Sequence, residues 1–487
     1  MEVFIVMNKF SLVIICLFFL YSCSNSPQPV KISKIDKMEY APEKWGINYP
    51  IQYEMTMKTK EKTPANKSYY KKGYDTDGKI YDKLSEFPFL ALLYAGWGFG
   101  IEYNEPRGHY YMLEDILDID SSRRKAGGVC LTCKTPYAQE LFSKYGKNYL
   151  SEPFEKIHYL IPDKHKKLGA TCISCHDPES MSLRILNEFT LIKALDSMGF
   201  DIKKATHQDM RSLVCAQCHV TYNIKKDKNN KSIDIFFPWQ NSKYGKITIE
   251  DIIKTIKSSE ENLEWTHKVT GFKLGFIRHP EFELFTNNSI HWKAGLSCAD
   301  CHMPYTRVGA YKVSDHRIMS PLKNNMRACL QCHTQGEDWL RERVKFIQDR
   351  TVSLFIRAGY ALATTAKIFE IINKNKENKK IDENLYKKAK EYYEEAFYRL
   401  IFIGAENSVG FHNPPEALRV LGDSIHFASK GESLLRQLAS KSNIELQEKI
   451  DLELDKYLNN RGEKKLNFIK EMEFKDPFDL QKLFLKK

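Results

Sequence analysis

Paired cysteines are the residues of this 487-residue chain that point most directly to chemistry. Of the 12 cysteines, Cys16 and Cys23 lie near the N-terminus, and the others all fall into pairs with the spacing C-x-x-C. A histidine follows directly after every pair except one, which is followed by a lysine. The pairs and the residues that follow them are Cys130/Cys133 with Lys134, Cys172/Cys175 with His176, Cys215/Cys218 with His219, Cys298/Cys301 with His302, and Cys329/Cys332 with His333.

This pattern is typical of covalent haem c attachment. Two thiols at this spacing form thioethers with the two vinyl groups of one haem, and the next residue reaches the iron. Structural zinc is a poorer explanation, because each zinc ion needs two such pairs. Disulfides are also disfavoured, because a bridge within C-x-x-C closes a tight and strained loop. The sequence therefore predicts five covalently bound haem c groups.

A count of axial ligands singles out the haem at Lys134. A haem that only carries electrons has two axial ligands, whereas a haem that binds a substrate keeps one position open. The chain has 14 histidines, enough to give two to each histidine-linked haem. A lysine must lose its proton to bind iron, and the metal lowers its pKa to allow this. We predict that Lys134 ligates the open, catalytic haem; the alternative is that this haem is ligated from elsewhere.

The formal net charge of +12 does not indicate nucleic-acid binding. Basic and acidic residues are mixed along the chain rather than gathered in runs, so no nucleic-acid partner is expected. Five haems would bring about ten propionate charges, which offset most of the basic surplus.

The N-terminal residues 1–23 resemble a bacterial signal peptide. A basic residue, Lys9, precedes an apolar run over residues 10–21, which is too short to span a bilayer comfortably. Cys23 directly follows this run, as in lipoprotein leaders in which the cysteine is acylated. We expect a periplasmic protein with a lipid anchor at Cys23; the alternative is a soluble protein cut nearby.

The rest of the chain predicts a mainly α-helical multihaem cytochrome c fold. Short helices and loops wrapped on haem are expected over residues 24–340, the pentahaem catalytic domain, and long helices over residues 341–487. One helix is predicted from an apolar stripe, a second from residues 385–403, and a third near Pro414. The stripe consists of Val352, Phe355, Ile356, Gly359, Leu362, Ala363, Ala366 and Phe369.

The chain resembles the pentahaem cytochrome c nitrite reductases that form ammonia, over nearly the whole mature sequence. The motifs that carry this resemblance are Tyr49-Pro50-Ile51-Gln52-Tyr53, Asn104-Glu105-Pro106-Arg107-Gly108-His109, Cys130-Leu131-Thr132-Cys133-Lys134, Cys215-Ala216-Gln217-Cys218-His219-Val220, His279-Pro280-Glu281, Cys298-Ala299-Asp300-Cys301-His302-Met303-Pro304, and Asp315-His316. The resemblance implies distal ligands at His316 for the second haem, His109 for the third, His412 for the fourth and His291 for the fifth. No role is assigned to His158, His165, His207, His267 or His426.

The resemblance also implies a catalytic pocket around the Lys134 haem. Its residues would be Tyr222, His279 and an arginine, for which Arg123 is preferred over Arg124 because the ungapped position holds Ser121. Cationic donors would favour binding of the nitrite anion and stabilise charge on its oxygens. Reduction to ammonium consumes about six electrons and eight protons, so Tyr222 and His279 would also move protons.

The expected partners follow from the same resemblance. They are nitrite, a second copy of the chain packed through the long C-terminal helices, and an electron donor that is a quinol-oxidising membrane cytochrome or a soluble cytochrome. Two alternatives stay open: a related multihaem reductase acting on hydroxylamine, sulfite or tetrathionate, and a non-catalytic multihaem electron shuttle.

The sequence departs from its relatives at a calcium site beside the active site. Many relatives have a glutamate before the pocket tyrosine and Lys-x-Gln before the pocket histidine. Here these positions hold Thr221, Phe276 and Arg278, which replace oxygen ligands by a hydroxyl, an aromatic ring and a permanent cation. The sequence therefore predicts that calcium is absent and that Arg278 takes its electrostatic place.

Overall fold

The computed structural model describes residues 31–63, 68–70, 81–459, 461 and 476–485. The predicted signal peptide and Cys23 lie outside these residues. The mainly α-helical prediction is confirmed, and no helix in the described part of the chain is both long and apolar enough to cross a bilayer. The helices are α1 Pro42–Asn48, α2 Pro50–Met57, α3 Lys83–Glu86, α4 Phe89–Leu93, α5 Met112–Asp118, α6 Ala138–Tyr145, α7 Lys147–Ser151, α8 Phe154–Tyr159, α9 Glu188–Ser197, α10 His207–Ala216, α11 Ile249–Lys257, α12 Glu281–Thr286, α13 Ile290–Lys293, α14 Cys298–His302, α15 Glu337–Asn375, α16 Glu383–Ala405, α17 Pro414–Lys441, α18 Leu454–Asn459 and α19 Leu480–Leu485.

The strands of the described residues are short and form three separate antiparallel hairpins. Each hairpin joins strands that are neighbours in the chain, so none of them builds a larger sheet. The strands are β1 Asn223–Lys226, β2 Ser232–Phe236, β3 Trp265–Thr266, β4 Lys273–Leu274, β5 Tyr305–Val308 and β6 Tyr311–Ser314.

The three long helices α15, α16 and α17 pack together at the C-terminal end of the chain. The side chain of Asp382 accepts hydrogen bonds from the first turn of α16, and Pro414 occupies the first turn of α17, where the missing N–H costs nothing. Helix α17 packs against both α15 and α16. All residues of the predicted apolar stripe on α15 are buried, so this part of the prediction is confirmed.

Two large hydrophobic cores and a small one around Met326 hold the described chain together. The larger core joins the long helices to α4, α11 and the segment around Trp265. The smaller core lies around Trp45, Leu131 and Phe154. Helix α15 packs against the ring of Phe89, and the larger core also contains Leu213 and Ala216 of α10, which leads into the third cysteine pair. The domain boundary at residue 340 stays a prediction.

Candidate multihaem site

A single cavity of about 2320 Å³ runs through the part of the molecule that carries the cysteine pairs. All the C-x-x-C cysteines contribute to its wall, together with the residue that follows each pair. Of these ten cysteines, all but Cys332 are partly buried. A cavity of this size, lined by thiols and imidazoles, fits several haem groups.

Helix starts position several of these motifs. Capping-box contacts are present at Thr171, Thr206 and Ser297, where the side chain three residues on accepts from the backbone N–H of the cap residue. At Thr206 the hydroxyl also accepts from the backbone N–H of Asp209 at 3.1 Å. The first and third of these boxes directly precede Cys172 and Cys298, and the second begins α10, which leads into the third pair. The backbone is therefore ordered where the thiols must be presented.

Eight histidines form four facing pairs across the cavity. A metal–imidazole bond is about 2 Å long and the ring centre lies roughly 1 Å behind the nitrogen, so rings on opposite sides of one iron have centres about 6 Å apart. The structure thus brings together the ring pairs that the resemblance implied, at the spacing that a central iron needs. The ring centres are 6.0 Å apart for His109 and His219, 6.2 Å for His176 and His316, 6.2 Å for His302 and His412, and 6.4 Å for His291 and His333.

The Nδ1 atoms of several of these rings have partners that leave Nε2 for a metal. Backbone carbonyl oxygens lie 2.9 Å from Nδ1 of His176, 3.1 Å from that of His302 and 2.8 Å from that of His316. Partners of this kind set the tautomer and the orientation of a metal-binding ring. Carboxylates approach two other rings: Glu281 lies 3.6 Å from Nδ1 of His219, and Glu406 lies 2.6 Å from Nδ1 of His412.

Lys134, Tyr222 and His279 lie in the wall of the same cavity. The backbone N–H of Lys134 donates to Leu131 at 2.9 Å, so the lysine continues a tight turn from the cysteine pair. Burial raises the pKa of Tyr222 above its usual range, which keeps its phenol protonated. Burial lowers the pKa of His279 to about 3, so this ring is neutral near pH 7 rather than the cation that the sequence argument expected. A neutral imidazole still offers one N–H donor.

His279 is held in an uncommon conformation. Its φ angle is +49°, in the left-handed region that non-glycine residues rarely occupy. Asn407 approaches its Nδ1 at 3.4 Å, and Glu281 lies 3.9 Å from the same atom. Such backbone strain often accompanies functional sites, and it directs this ring into the cavity.

The two candidate arginines face different surroundings. Arg123 donates from Nη1 to the backbone oxygen of Glu102 at 2.7 Å, and its guanidinium lies 3.6 Å from the ring centre of Phe99. Burial lowers the pKa of Arg123, and the opposing effects of Tyr103, Glu102 and Tyr222 only partly offset this shift. Arg124 instead approaches Glu155 at 3.8 Å. Arg123 is therefore the arginine on the side of Tyr222, although neither arginine belongs to the cavity wall of the described chain.

Arg278 stands at the position where many relatives have a ligand of the calcium site. It makes a two-pronged ion pair with Glu264, at 2.9 Å from Nη1 and 2.5 Å from Nη2, and its Nη1 also donates to the backbone oxygen of Tyr222 at 3.1 Å. Its backbone N–H donates to Thr221 Oγ1 at 3.4 Å, and its guanidinium lies 5.1 Å from the ring centre of Phe276. Burial alone would lower the pKa of Arg278, but the charge of Glu264 more than compensates and raises it. The cation is thus built into the wall behind Tyr222.

Comparison with known proteins gives a consistent result. The family model described as Cytochrome c552 matches residues 41–483. The chain is 34% identical over 367 residues to the cytochrome c nitrite reductase subunit NrfA of Nitratidesulfovibrio vulgaris, covering 71% of this chain and 68% of that protein. It is 30% identical over 432 residues to cytochrome c-552 of Aliarcobacter butzleri, and this match covers 85% of this chain and 80% of that protein.

A solved structure has a similar fold. The catalytic subunit of cytochrome c nitrite reductase from Desulfovibrio desulfuricans, described for its two calcium sites, matches with a TM-score of 0.74 and 30% identity. The match covers 84% of this chain and 88% of that one. The long-helix bundle and the haem-wrapping segments therefore have the arrangement of a known multihaem protein.

Proposed function

Because the chain belongs to the cytochrome c552 family, with covalently bound haem c, we propose that it reduces nitrite to ammonium. The reaction converts NO₂⁻, with about six electrons and eight protons, into NH₄⁺ and two water molecules. Five haem c groups would supply the iron that binds nitrite and the path for its electrons.

One observation carries this proposal: the cavity has five cysteine pairs but four facing imidazole pairs. The pair without a following histidine is the one with Lys134. A chain that only conducted electrons would need two strong ligands at every site. The Lys134 site is therefore where we propose that nitrite binds.

The chain's own residues have distinct roles in this proposal. Tyr222 would hold a proton at its phenol oxygen and would donate it to an oxygen of nitrite as an N–O bond breaks. His279 donates a hydrogen bond from its neutral ring to an oxygen of nitrite. Arg123 carries the positive charge on this side of the pocket and favours the anion over water.

The test is a turnover assay with reduced viologen and nitrite in which ammonium is quantified. We expect ammonium from the wild type and a lower rate from Lys134→His, because imidazole is a different donor from an amine. Electron paramagnetic resonance of the resting protein should contain a high-spin component from the open haem. An exclusively low-spin spectrum with no ammonium formed would leave only an electron shuttle.

We further propose that this enzyme works without calcium, because Arg278 and Glu264 already satisfy each other behind Tyr222. Treatment with a calcium chelator should leave the nitrite reductase rate unchanged. Metal analysis showing about one tightly held calcium per chain would contradict this.

The cellular setting is part of the same proposal. We place the protein in the periplasm, with a lipid anchor at Cys23, as a homodimer that takes electrons from a quinol-oxidising membrane cytochrome or a soluble cytochrome. The exposed apolar side chain of Phe346 on α15 supports the proposal of a homodimer. A monomer in light scattering at micromolar concentration would exclude the dimer.

A further inference from the structure

The loop between α16 and α17, residues 406–413, holds a buried carboxylate beside one of the paired histidines. The side chain of Glu406 has no exposed surface, and its Oε1 lies 2.6 Å from Nδ1 of His412. Glu406 belongs to none of the motifs that carry the family resemblance.

The loop itself supplies hydrogen-bond donors to the Glu406 carboxylate. Its Oε1 accepts from the backbone N–H of Ser408 at 2.9 Å, while its Oε2 accepts from Ser408 Oγ at 2.7 Å and from the backbone N–H of Gly410 at 3.1 Å. Val409 and Gly410 have φ angles of +57° and +81°, which curl the backbone around the carboxylate. These donors fix the position of the carboxylate beside His412.

The other paired histidines have a different environment. Nδ1 of His176, His302 and His316 contacts neutral backbone carbonyl oxygens. The carboxylate of Glu281 lies 3.6 Å from Nδ1 of His219, outside ordinary hydrogen-bonding distance. Glu406 is therefore the closest carboxylate to an Nδ1 atom among these rings.

We propose that Glu406 is a positioning residue for His412 that lowers the reduction potential of the haem attached at Cys298 and Cys301. A carboxylate at Nδ1 makes the imidazole a stronger donor, and its charge stabilises ferric over ferrous iron. This inference rests on the proposed function, in which His302 and His412 ligate that haem.

The experiment is a spectroelectrochemical redox titration of the intact five-haem protein. Glu406→Gln keeps the size of the side chain and removes its charge, so one low-spin step should shift to a more positive potential while the others stay. Glu406→Asp keeps the charge but moves it farther from the His412 ring, so a smaller shift of the same sign is expected. Glu391→Gln, on an exposed position of α16, is the matched control and should leave every step in place.

His412→Ala identifies the step, because loss of this ligand should remove one low-spin signal. Unchanged potentials in Glu406→Gln with all haems present would overturn the proposal, and so would a shift to more negative values. The titration uses no nitrite. A protein that titrates as expected but forms no ammonium would therefore contradict the proposed function and not this inference.

Discussion

At the residue scale, the ion pair between Arg278 and Glu264 places a permanent cation behind Tyr222. Both side chains are almost fully buried, with exposed fractions of 4% and 0%. A pair of this kind gains little net stability over apolar residues, but losing one partner leaves an uncompensated buried charge. Because Arg278 also donates to the backbone oxygen of Tyr222, the ion pair holds the backbone of the pocket tyrosine in place.

We predict that Arg278→Met destabilises the protein by about 3–5 kcal/mol, because Glu264 is left unpaired. The measurement is denaturant unfolding followed by circular dichroism. The matched control is Arg419→Met, which breaks half-exposed ion pairs with Glu416 and Glu250 and should cost only about 0–1 kcal/mol. Equal losses in both variants would contradict the buried-pair argument.

The two neighbouring arginines give a second prediction. Arg123→Ala should lower kcat/KM for nitrite by about 10²–10³-fold, because a preorganised cation on the side of Tyr222 is lost. Arg124→Ala removes the same charge one residue away, where it faces the exposed Glu155, and should change the rate little. The reverse order of effects would assign the pocket to Arg124.

The sequence predicted chemistry better than it predicted contacts. The C-x-x-C spacing is set by the covalent geometry of haem, so Cys130 and its counterparts can be read directly from the chain. Glu264 and Glu406 belong to no such spacing, because their partners Arg278 and His412 are brought close only by the fold. The neutral state of His279 likewise depends on burial, which no local pattern reveals.

At the element scale, α15 packs on α4 through one especially close contact. Gly359 lies directly against the ring of Phe89, and a Cβ at this position would overlap that ring. The apolar stripe predicted the buried face of α15, because helical periodicity is local. It could not predict that one position on that face admits only glycine.

We predict that Gly359→Ala destabilises the protein by about 1–3 kcal/mol, because the added methyl group overpacks the contact with Phe89. Combining it with Phe89→Leu should cost less than the sum of the two single changes, since the smaller side chain leaves room. Denaturant midpoints of the four proteins measure this coupling. Additive losses would show that the two residues do not compete for space.

At the scale of the whole molecule, the haem-binding residues surround a cavity of about 2320 Å³ instead of a packed core. The cores described above lie beside this cavity. Protein interiors are normally close-packed, so this volume must be filled for the walls to keep their shape.

We therefore predict that the chain produced without haem attachment is cut by proteases within residues 81–336, while α15–α17 survive longer. Limited proteolysis followed by mass spectrometry measures this, with the haem-loaded protein as the control. The same cleavage pattern in both forms would show that the segments around the cavity fold without haem.

The large cavity also bears on how such a protein is made. Because haem fills this cavity, the chain completes its folding only when haem is attached. Haem attachment and folding are therefore coupled. Each haem that is attached fills part of the cavity, and the polypeptide can then pack against it. Cells that make this protein must then match the supply of porphyrin to that of polypeptide, because unfilled chains are exposed to degradation.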